Sequence, residues 1–169
     1  NTRSGKSTLA TYLQKQLQAE GVDCMRITLD HWILPKSERI GKEEVFHNFQ
    51  IDKLERDVQS ILNGETVELK GYTPHPNHEL EDVVYQHQGQ KVILIEGVVA
   101  LATETLRELS DVKIFKSIPE DLLKQRVFTY YEWKGYSEDS INILWATRKV
   151  NEYDVIAQNQ QFADLVVDK

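Results

Sequence analysis

The first residues able to do chemistry come in one run, Asn1-Thr2-Arg3-Ser4-Gly5-Lys6-Ser7-Thr8, which leads straight into Leu9-Ala10-Thr11-Tyr12-Leu13. Against the phosphate-loop pattern G-x-x-x-x-G-K-[ST] it supplies the second glycine, the lysine and the hydroxyl. Gly5 accepts the dihedrals of a tight loop, so successive N–H groups can point inward at phosphate oxygens. A helix starting there adds its N-terminal dipole to the attraction. In that geometry Lys6 reaches the β- and γ-phosphates of a nucleotide and Ser7 takes Mg²⁺, while Asn1, Thr2, Arg3, Ser4 and Thr8 complete the cradle.

Two carboxylates stand at strand ends. Val22 to Leu29 reads as a strand closed by Asp30, and the C-terminal edge of an α/β sheet is where ligands bind. Asp30 is therefore the candidate general base or metal-linked carboxylate. Lys91-Val92-Ile93-Leu94-Ile95-Glu96-Gly97 is a buried parallel-type strand ending in a carboxylate and a glycine. In a nucleotide-binding sheet that is the Walker B position, where Glu96 orients Mg²⁺ through water. Arg126 and Lys134, interleaved with Tyr130, Tyr131 and Trp133, put cations on a segment able to close over a nucleotide. Phosphoryl transfer needs such cations because charge collects on the transferring oxygens.

Other residues carry weaker signals. Trp32 either stacks on a flat substrate or covers the core. His75 and His78 lie three apart in a loop fixed by Pro74 and Pro76. With no third ligand at suitable spacing they do not make a metal pair, and substrate contact by one of them or plain exposure is expected. Arg148 and Glu152 fit an i,i+4 surface pair. Cys24, the single cysteine, lies in a strand and reads as a buried, inert thiol.

The elements that must position these groups follow from periodicity. Leu9, Tyr12, Leu13 and Leu17 mark a helix from about Ser7 to Glu20, with Gly21 as its cap. His31 to Glu44 reads as an irregular loop with one helical turn at most, long enough to line a substrate pocket. Ile51 to Leu62 is a helix closed by Asn63-Gly64. Thr66–Leu69 and Val83–His87 are short extended pieces, and Val98 to Leu109 has helical character. Val112–Phe115 is a further strand, Pro119 and Ser137 open two more helices, and Ala163–Val167 is a last strand. A phosphate loop is normally fed by a buried strand, so a short piece supplying it is expected ahead of residue 1.

At 169 residues the chain fits one domain, with a net charge of −7. That charge gives no global support to a nucleic-acid surface, and no apolar run approaches the ~20 residues that span a bilayer. A lone cysteine together with a nucleotide loop suggests the cytoplasm.

The order of these features resembles the uridine kinase and phosphoribulokinase-like branch of the P-loop kinases, over nearly the whole chain. The resemblance rests on Ser4-Gly5-Lys6-Ser7-Thr8, Thr28-Leu29-Asp30-His31-Trp32, Leu62-Asn63-Gly64 through Tyr72, Val92 to Val98, the lid segment Asp121 to Gly135, and Ala163-Asp164-Leu165-Val166-Val167. It implies a three-layer α/β P-loop NTPase fold, with a mostly parallel sheet, helices on both faces and a lid at about 126–136. It also implies transfer of the γ-phosphoryl group of ATP, with Mg²⁺, to a hydroxyl of a small molecule, a nucleoside first. Asp30 would then be the base, Lys6 and Arg126 the catalytic cations, Arg126 and Lys134 the lid contacts to ATP, and Asp30, Trp32, Tyr72 and His75 the substrate contacts. Oligomerisation is compatible with this reading.

The sequence departs from that branch in its lid and in its substrate segments. Gln125, Tyr130 and Tyr136 stand where lid partners are expected, and Trp32 is followed by Ile33 rather than a second aromatic. Glu44 to Phe49 and Tyr72 to Glu79 also match the family's passages poorly. Alternatives are a kinase for pantothenate, another riboside or a sugar phosphate, or a non-catalytic nucleotide-binding protein. A GTPase-type switch is disfavoured by the lack of an Asn-Lys-x-Asp run.

Overall fold

A computed structural model describes residues 3–39, 44–72 and 80–168. Helix α1 (Lys6–Ala19) begins directly after Gly5. It ends where Gly21 turns left-handed at φ 73°, with Val22 N–H bonding back to Leu17 O at 2.8 Å and Gly21 N–H to Gln18 O at 3.0 Å. These are the paired closing bonds of a Schellman motif, which a glycine without Cβ makes at low cost. The chain reverses there into strand β1 (Cys24–Thr28).

Strand β1 pairs in parallel with β4 (Val92–Glu96), from Cys24 against Val92 to Thr28 against Glu96. This register sets the ends of the two strands side by side, and with them the two candidate carboxylates. Between the two strands in sequence come α2 (Ile51–Leu62) and an antiparallel hairpin of β2 (Thr66–Tyr72) and β3 (Leu80–Gln86), paired over their whole length. The hairpin strands run longer than periodicity predicts, because their solvent face breaks the alternation that marks a half-buried strand.

After β4 come α3 (Glu104–Leu109), β5 (Ile114–Lys116), α4 (Glu120–Trp133) and α5 (Glu138–Arg148). A π-helical turn (Lys149–Tyr153) leads on to α6 (Asp154–Gln158) and β6 (Leu165–Val167). Strands β5 and β6 form a second parallel pair. A cleft of about 630 Å³ lies between this pair and β1–β4, lined by Leu9 and Leu13 of α1, Ile93 and Leu94 of β4, and Phe115. Parallel pairs joined through helices are the arrangement expected of an α/β chain.

The stretch after Asp30 is more ordered than its charges and proline suggest. Its described residues hold one complete 3₁₀ turn, Lys36–Arg39, in keeping with the single turn expected over 31–44, and further turns flank it at Leu29–Trp32 and Val45–Asn48. Backbone bonds from Leu34 N–H to Asn48 O (2.8 Å) and from Gln50 N–H to Trp32 O (3.0 Å) tie its ends together. Non-local bonds of this kind leave no periodic trace in sequence. The helical character expected from Val98 is confined to α3, since the preceding residues turn on themselves and Arg107 Nη1 caps Leu101 O and Ala102 O at 2.9 and 3.0 Å.

The main core joins Ile27, Leu29 and Trp32 to Leu54, Val58 and Ile61 of α2, all fully buried. At about 25 cal/mol per Å², burying each such side chain contributes roughly 1.5–3 kcal/mol. A smaller cluster of Leu123, Val127, Trp145 and Tyr153 fastens α4 to α5. Among the described residues no helix is long and apolar enough to cross a membrane.

Candidate active site

The phosphate loop ends at two left-handed residues, Arg3 (φ 66°) and Gly5 (φ 93°), with Ser4 buried between them. For arginine that conformation costs about 1–2 kcal/mol, which glycine would avoid. Leu9 N–H bonds to Gly5 O at 2.9 Å and starts the helical ladder. Two cations from elsewhere close on the loop: a Cβ built on Gly5 would lie 3.9 Å from both Arg126 Nη1 and Lys116 Cε. Arg126 Nη1 also donates to Arg3 O at 3.3 Å, so the expectation that Arg126 reaches the loop fits the geometry.

Lys116, at the end of β5, donates to Ser117 O (2.7 Å) and Val167 O (3.3 Å). Burial holds its ammonium below the usual lysine range and Arg126 adds to that, while Asp168 opposes it.

Ser7 and Glu96 meet as the strand-end argument requires: Ser7 Oγ donates to Glu96 Oε2 at 3.3 Å. The other carboxylate oxygen accepts from Arg26 Nη2 at 2.5 Å. Arg26 Nη1 donates to Thr11 Oγ1 at 2.9 Å, whose hydroxyl donates to Ser7 O at 2.8 Å. The circuit runs from α1 through β1 to β4 and holds the Ser7–Glu96 pair in place. A hydroxyl and a carboxylate are hard oxygen donors that suit Mg²⁺. Among the described residues no three His, Cys, Asp or Glu converge. So sparse a protein set matches an ion that takes its other ligands from phosphates and water.

Asp30 sits in the 3₁₀ turn that follows β1. Burial pushes its carboxyl above the usual range; Lys6 opposes the rise, Glu96 adds to it, and His31 opposes it. The Thr28–Glu96 register and the Ser7–Glu96 bond set Asp30, Lys6 and Glu96 at neighbouring element ends, and these couplings agree with that placement. A carboxylate made more basic beside a lysine that neutralises part of its charge is suited to accept a proton.

Beside it, His31 Nδ1 and Tyr85 Oη are 2.7 Å apart, and Thr28 N–H donates to Tyr85 Oη at 3.0 Å. This lets the phenol donate its own proton to Nδ1. Burial holds His31 below the usual histidine range, against the pull of Asp30, Glu81 and Glu96. Gly71 permits the close approach, since a Cβ there would come within 2.7 Å of Val83 Cγ2 and 3.0 Å of His31 Cγ.

Trp32 is a correction. It is fully buried, stacks on Tyr85 at 5.7 Å between centroids, and donates Nε1–H to Asp57 Oδ2 at 2.6 Å. Both its face and its polar tip are used inside the core, so it offers no surface to a substrate. Arg148–Glu152 also differs from a surface pair: at 3.7 Å it is formed, with the Glu152 side chain only 12% exposed. Cys24 is buried with its thiol pushed up by burial, as expected. Asn1, Thr2 and His75 lie outside the described residues, as does the side chain of Tyr72.

At the C-cap of α4, Lys134 Nζ lies 4.6 Å from the centre of the Tyr130 ring, and Arg3 Cζ lies 3.4 Å from the centre of the same ring. The residues that sequence reasoning missed are Arg26, Lys116, His31 and Tyr85. Arg26 had a usable signal, a charge in the middle of an otherwise half-buried strand, which must find a partner. The others depend on pairings across elements.

A family model described as the Phosphoribulokinase / Uridine kinase family matches residues 1–169. A uridine kinase of Staphylococcus haemolyticus is 27% identical over 172 residues, covering 97% of this chain and 82% of that protein. A uridine kinase of Macrococcus caseolyticus is 28% identical over 174 residues, with the same coverage. Among solved structures, a possible uridine kinase from Bacillus stearothermophilus superposes with a TM-score of 0.65 at 19% identity, covering 98% of this chain and 83% of that one. A putative fructose transport system kinase from Silicibacter sp. TM1040 superposes with a TM-score of 0.71 at 19% identity, covering 97% and 84%.

Proposed function

The chain belongs to the phosphoribulokinase/uridine kinase family of phosphotransferases, and on that premise we propose that it moves the γ-phosphoryl group of ATP to a hydroxyl of a small molecule, with a nucleoside as the first acceptor to test. The observation that carries the reading is the convergence of Asp30, Lys6 and the Ser7–Glu96 pair at the ends of β1 and β4.

Loop N–H groups and Lys6 hold the phosphates, and Arg126 approaches the same loop from α4. The acceptor oxygen attacks the γ-phosphorus, a new O–P bond forms, the bond to the β,γ-bridging oxygen breaks, and ADP leaves with that bond's electron pair. Asp30 takes the hydroxyl proton. Lys6 and Arg126 offset the charge on the transferring and leaving oxygens, the largest effect expected in a loose transition state. Ser7 and Glu96 would hold Mg²⁺, which would supply charge neutralisation to the phosphates.

A second acceptor class is favoured by one observation. The aromatic residue expected to stack on a flat base, Trp32, is spent in the core, whereas His31 and Tyr85 bring hydrogen-bonding groups to the turn that carries Asp30. A polyhydroxylated metabolite would use those groups without a stacking face.

The test is a screen for ADP release with Mg-ATP across nucleosides, vitamins and sugars, run beside thermal shifts, because a ligand that binds the native state raises its apparent stability. Transfer to uridine supports the nucleoside reading, and transfer only to a non-nucleoside replaces it. ATP binding without transfer to any acceptor leaves a nucleotide-binding module and overturns the kinase assignment.

A further inference from the structure

Arg3 is the one described residue other than glycine with a positive φ. A strained backbone at a ligand-binding loop is retained when the surroundings over-determine it, and here what the strain places is the side chain. Its guanidinium lies over the Tyr130 ring, Cζ 3.4 Å from the ring centre. One helical turn before Tyr130, Arg126 donates to the carbonyl of Arg3 and comes within 3.9 Å of the Gly5 Cβ position. One turn after it, Lys134 lies 4.6 Å from the same ring. Positions 126 and 130 of α4 and its C-cap Lys134 lie along one face, because residues four apart stack along a helix. That face therefore reads cation, aromatic, cation, and the guanidinium of Arg3 covers the aromatic middle.

We infer that the side chain of Arg3 is a phosphate-contacting arginine finger supplied from within the phosphate loop, with Tyr130 as the positioning residue that aims it. This rests on the kinase reading. The row of charge over the loop is then complete, Arg126, Arg3 and Lys134, although α4 with its C-cap contributes only two of the three. An aromatic face fits the positioning role because it attracts a guanidinium through its quadrupole without neutralising its charge. A carboxylate in that place would cancel the charge that the phosphates need. The γ-phosphoryl oxygens are charged in ATP and absent from ADP, so a finger aimed at them distinguishes ATP from ADP.

The experiment uses Arg3→Gly, Arg3→Lys, Tyr130→Phe, Tyr130→Leu and the double variant Arg3→Gly/Tyr130→Arg. Mg-ATP and Mg-ADP affinity are read by calorimetry, the single-turnover rate of γ-phosphoryl loss by quench, and Tm in parallel. Wild type must first bind Mg-ATP; if it does not, the kinase reading fails before any variant is compared, and the finger fails with it.

Given that binding, Arg3→Gly should leave Tm unchanged or higher and ADP affinity within about threefold, while the transfer rate falls by about 10²-fold, the loss typical of removing one preorganised charge donor. Arg3→Lys should fall between, since an ammonium lacks the planar fork. Tyr130→Leu should lose about tenfold in rate with no change in KM, and Tyr130→Phe, which keeps the ring and removes the hydroxyl that bonds Arg3 and Lys134, should lose less. The double variant should regain at least tenfold over Arg3→Gly by returning a guanidinium to the middle of the row. A wild-type transfer rate in Arg3→Gly, or equal losses for ATP and ADP with a matching fall in Tm and no recovery in the double variant, overturns the inference.

Discussion

Replacing Arg26 by methionine isolates what holds the candidate metal carboxylate. The Arg26 and Glu96 side chains are 23% and 10% exposed and meet at 2.5 Å. An exposed ion pair is worth about 0.2–1 kcal/mol, whereas removing one partner of a buried pair costs about 3–5 kcal/mol because the other charge stays buried alone. This pair is near the buried limit on the Glu96 side and wetter on the Arg26 side, so Arg26→Met should cost about 2–3 kcal/mol. Methionine keeps most of the aliphatic volume, and the loss therefore reports charge and hydrogen bonding rather than a cavity. For a chain of this size that is a fall in Tm of about 5–10 °C. Urea unfolding of Arg26→Met, Glu96→Gln and the double variant closes a cycle with an expected coupling of about 2 kcal/mol. If the single variant is within 0.5 kcal/mol of wild type and the cycle is additive to the same margin, the circuit through Thr11, Arg26 and Glu96 does not hold the site, and the reasoning from burial is wrong.

Lys6→Ala should lower kcat/KM by about 10³, more than the roughly 10² expected for Asp30→Asn, and the reverse order with the true acceptor refutes the view that charge stabilisation outweighs base catalysis. Because burial raises the carboxyl of Asp30 in the folded state, the fold binds this proton more tightly than the unfolded chain does. Wild-type stability from this group is thus full below the unfolded pKa and is lost as pH rises through the folded one. Asp30→Asn should accordingly gain stability over wild type as pH rises across that window, measured by urea midpoints at several pH values; a difference that is flat with pH counts against the burial. Trp32→Ala should cost about 3–5 kcal/mol as a core truncation, visible by calorimetry, whereas a variant of normal Tm with only a raised acceptor KM would return Trp32 to the substrate. Gly97→Ala would set a Cβ 2.6 Å from Leu29 Cβ, so it should cost about 1–3 kcal/mol and reduce activity beyond that loss, because both Glu96 and Asp30 adjoin the clash.

The phosphate loop and both carboxylates were legible because each is a local pattern with a mechanism: a glycine and lysine opening an amphipathic helix, and an acid closing an apolar strand. Their meeting followed from parallel pairing, which the Thr28–Glu96 register bears out. Trp32 was not decidable, since an aromatic after a strand is equally apt for a pocket or a core, and only the approach of Tyr85 and Asp57 makes it core. Arg26 carried a local signal, a charge inside a half-buried strand, but its partner Glu96, like the approach of Lys116 to the loop, is set by strand order rather than by neighbours in sequence. The cross-bonds that tie the ends of the stretch after Asp30, from Leu34 to Asn48 and from Gln50 to Trp32, were hidden for a similar reason.

The β2–β3 hairpin touches the Asp30 turn on both sides, through Tyr85 at Thr28 and through Gly71 at His31. On the proposed kinase reading, the hairpin thus works as a jig that sets Asp30 through the turn that carries it. Anyone exchanging this hairpin for one from a relative to change the acceptor inherits a changed base position with it. The transferable unit is the hairpin together with residues 28–31, and swaps that respect it should keep turnover where swaps of the hairpin alone lose it.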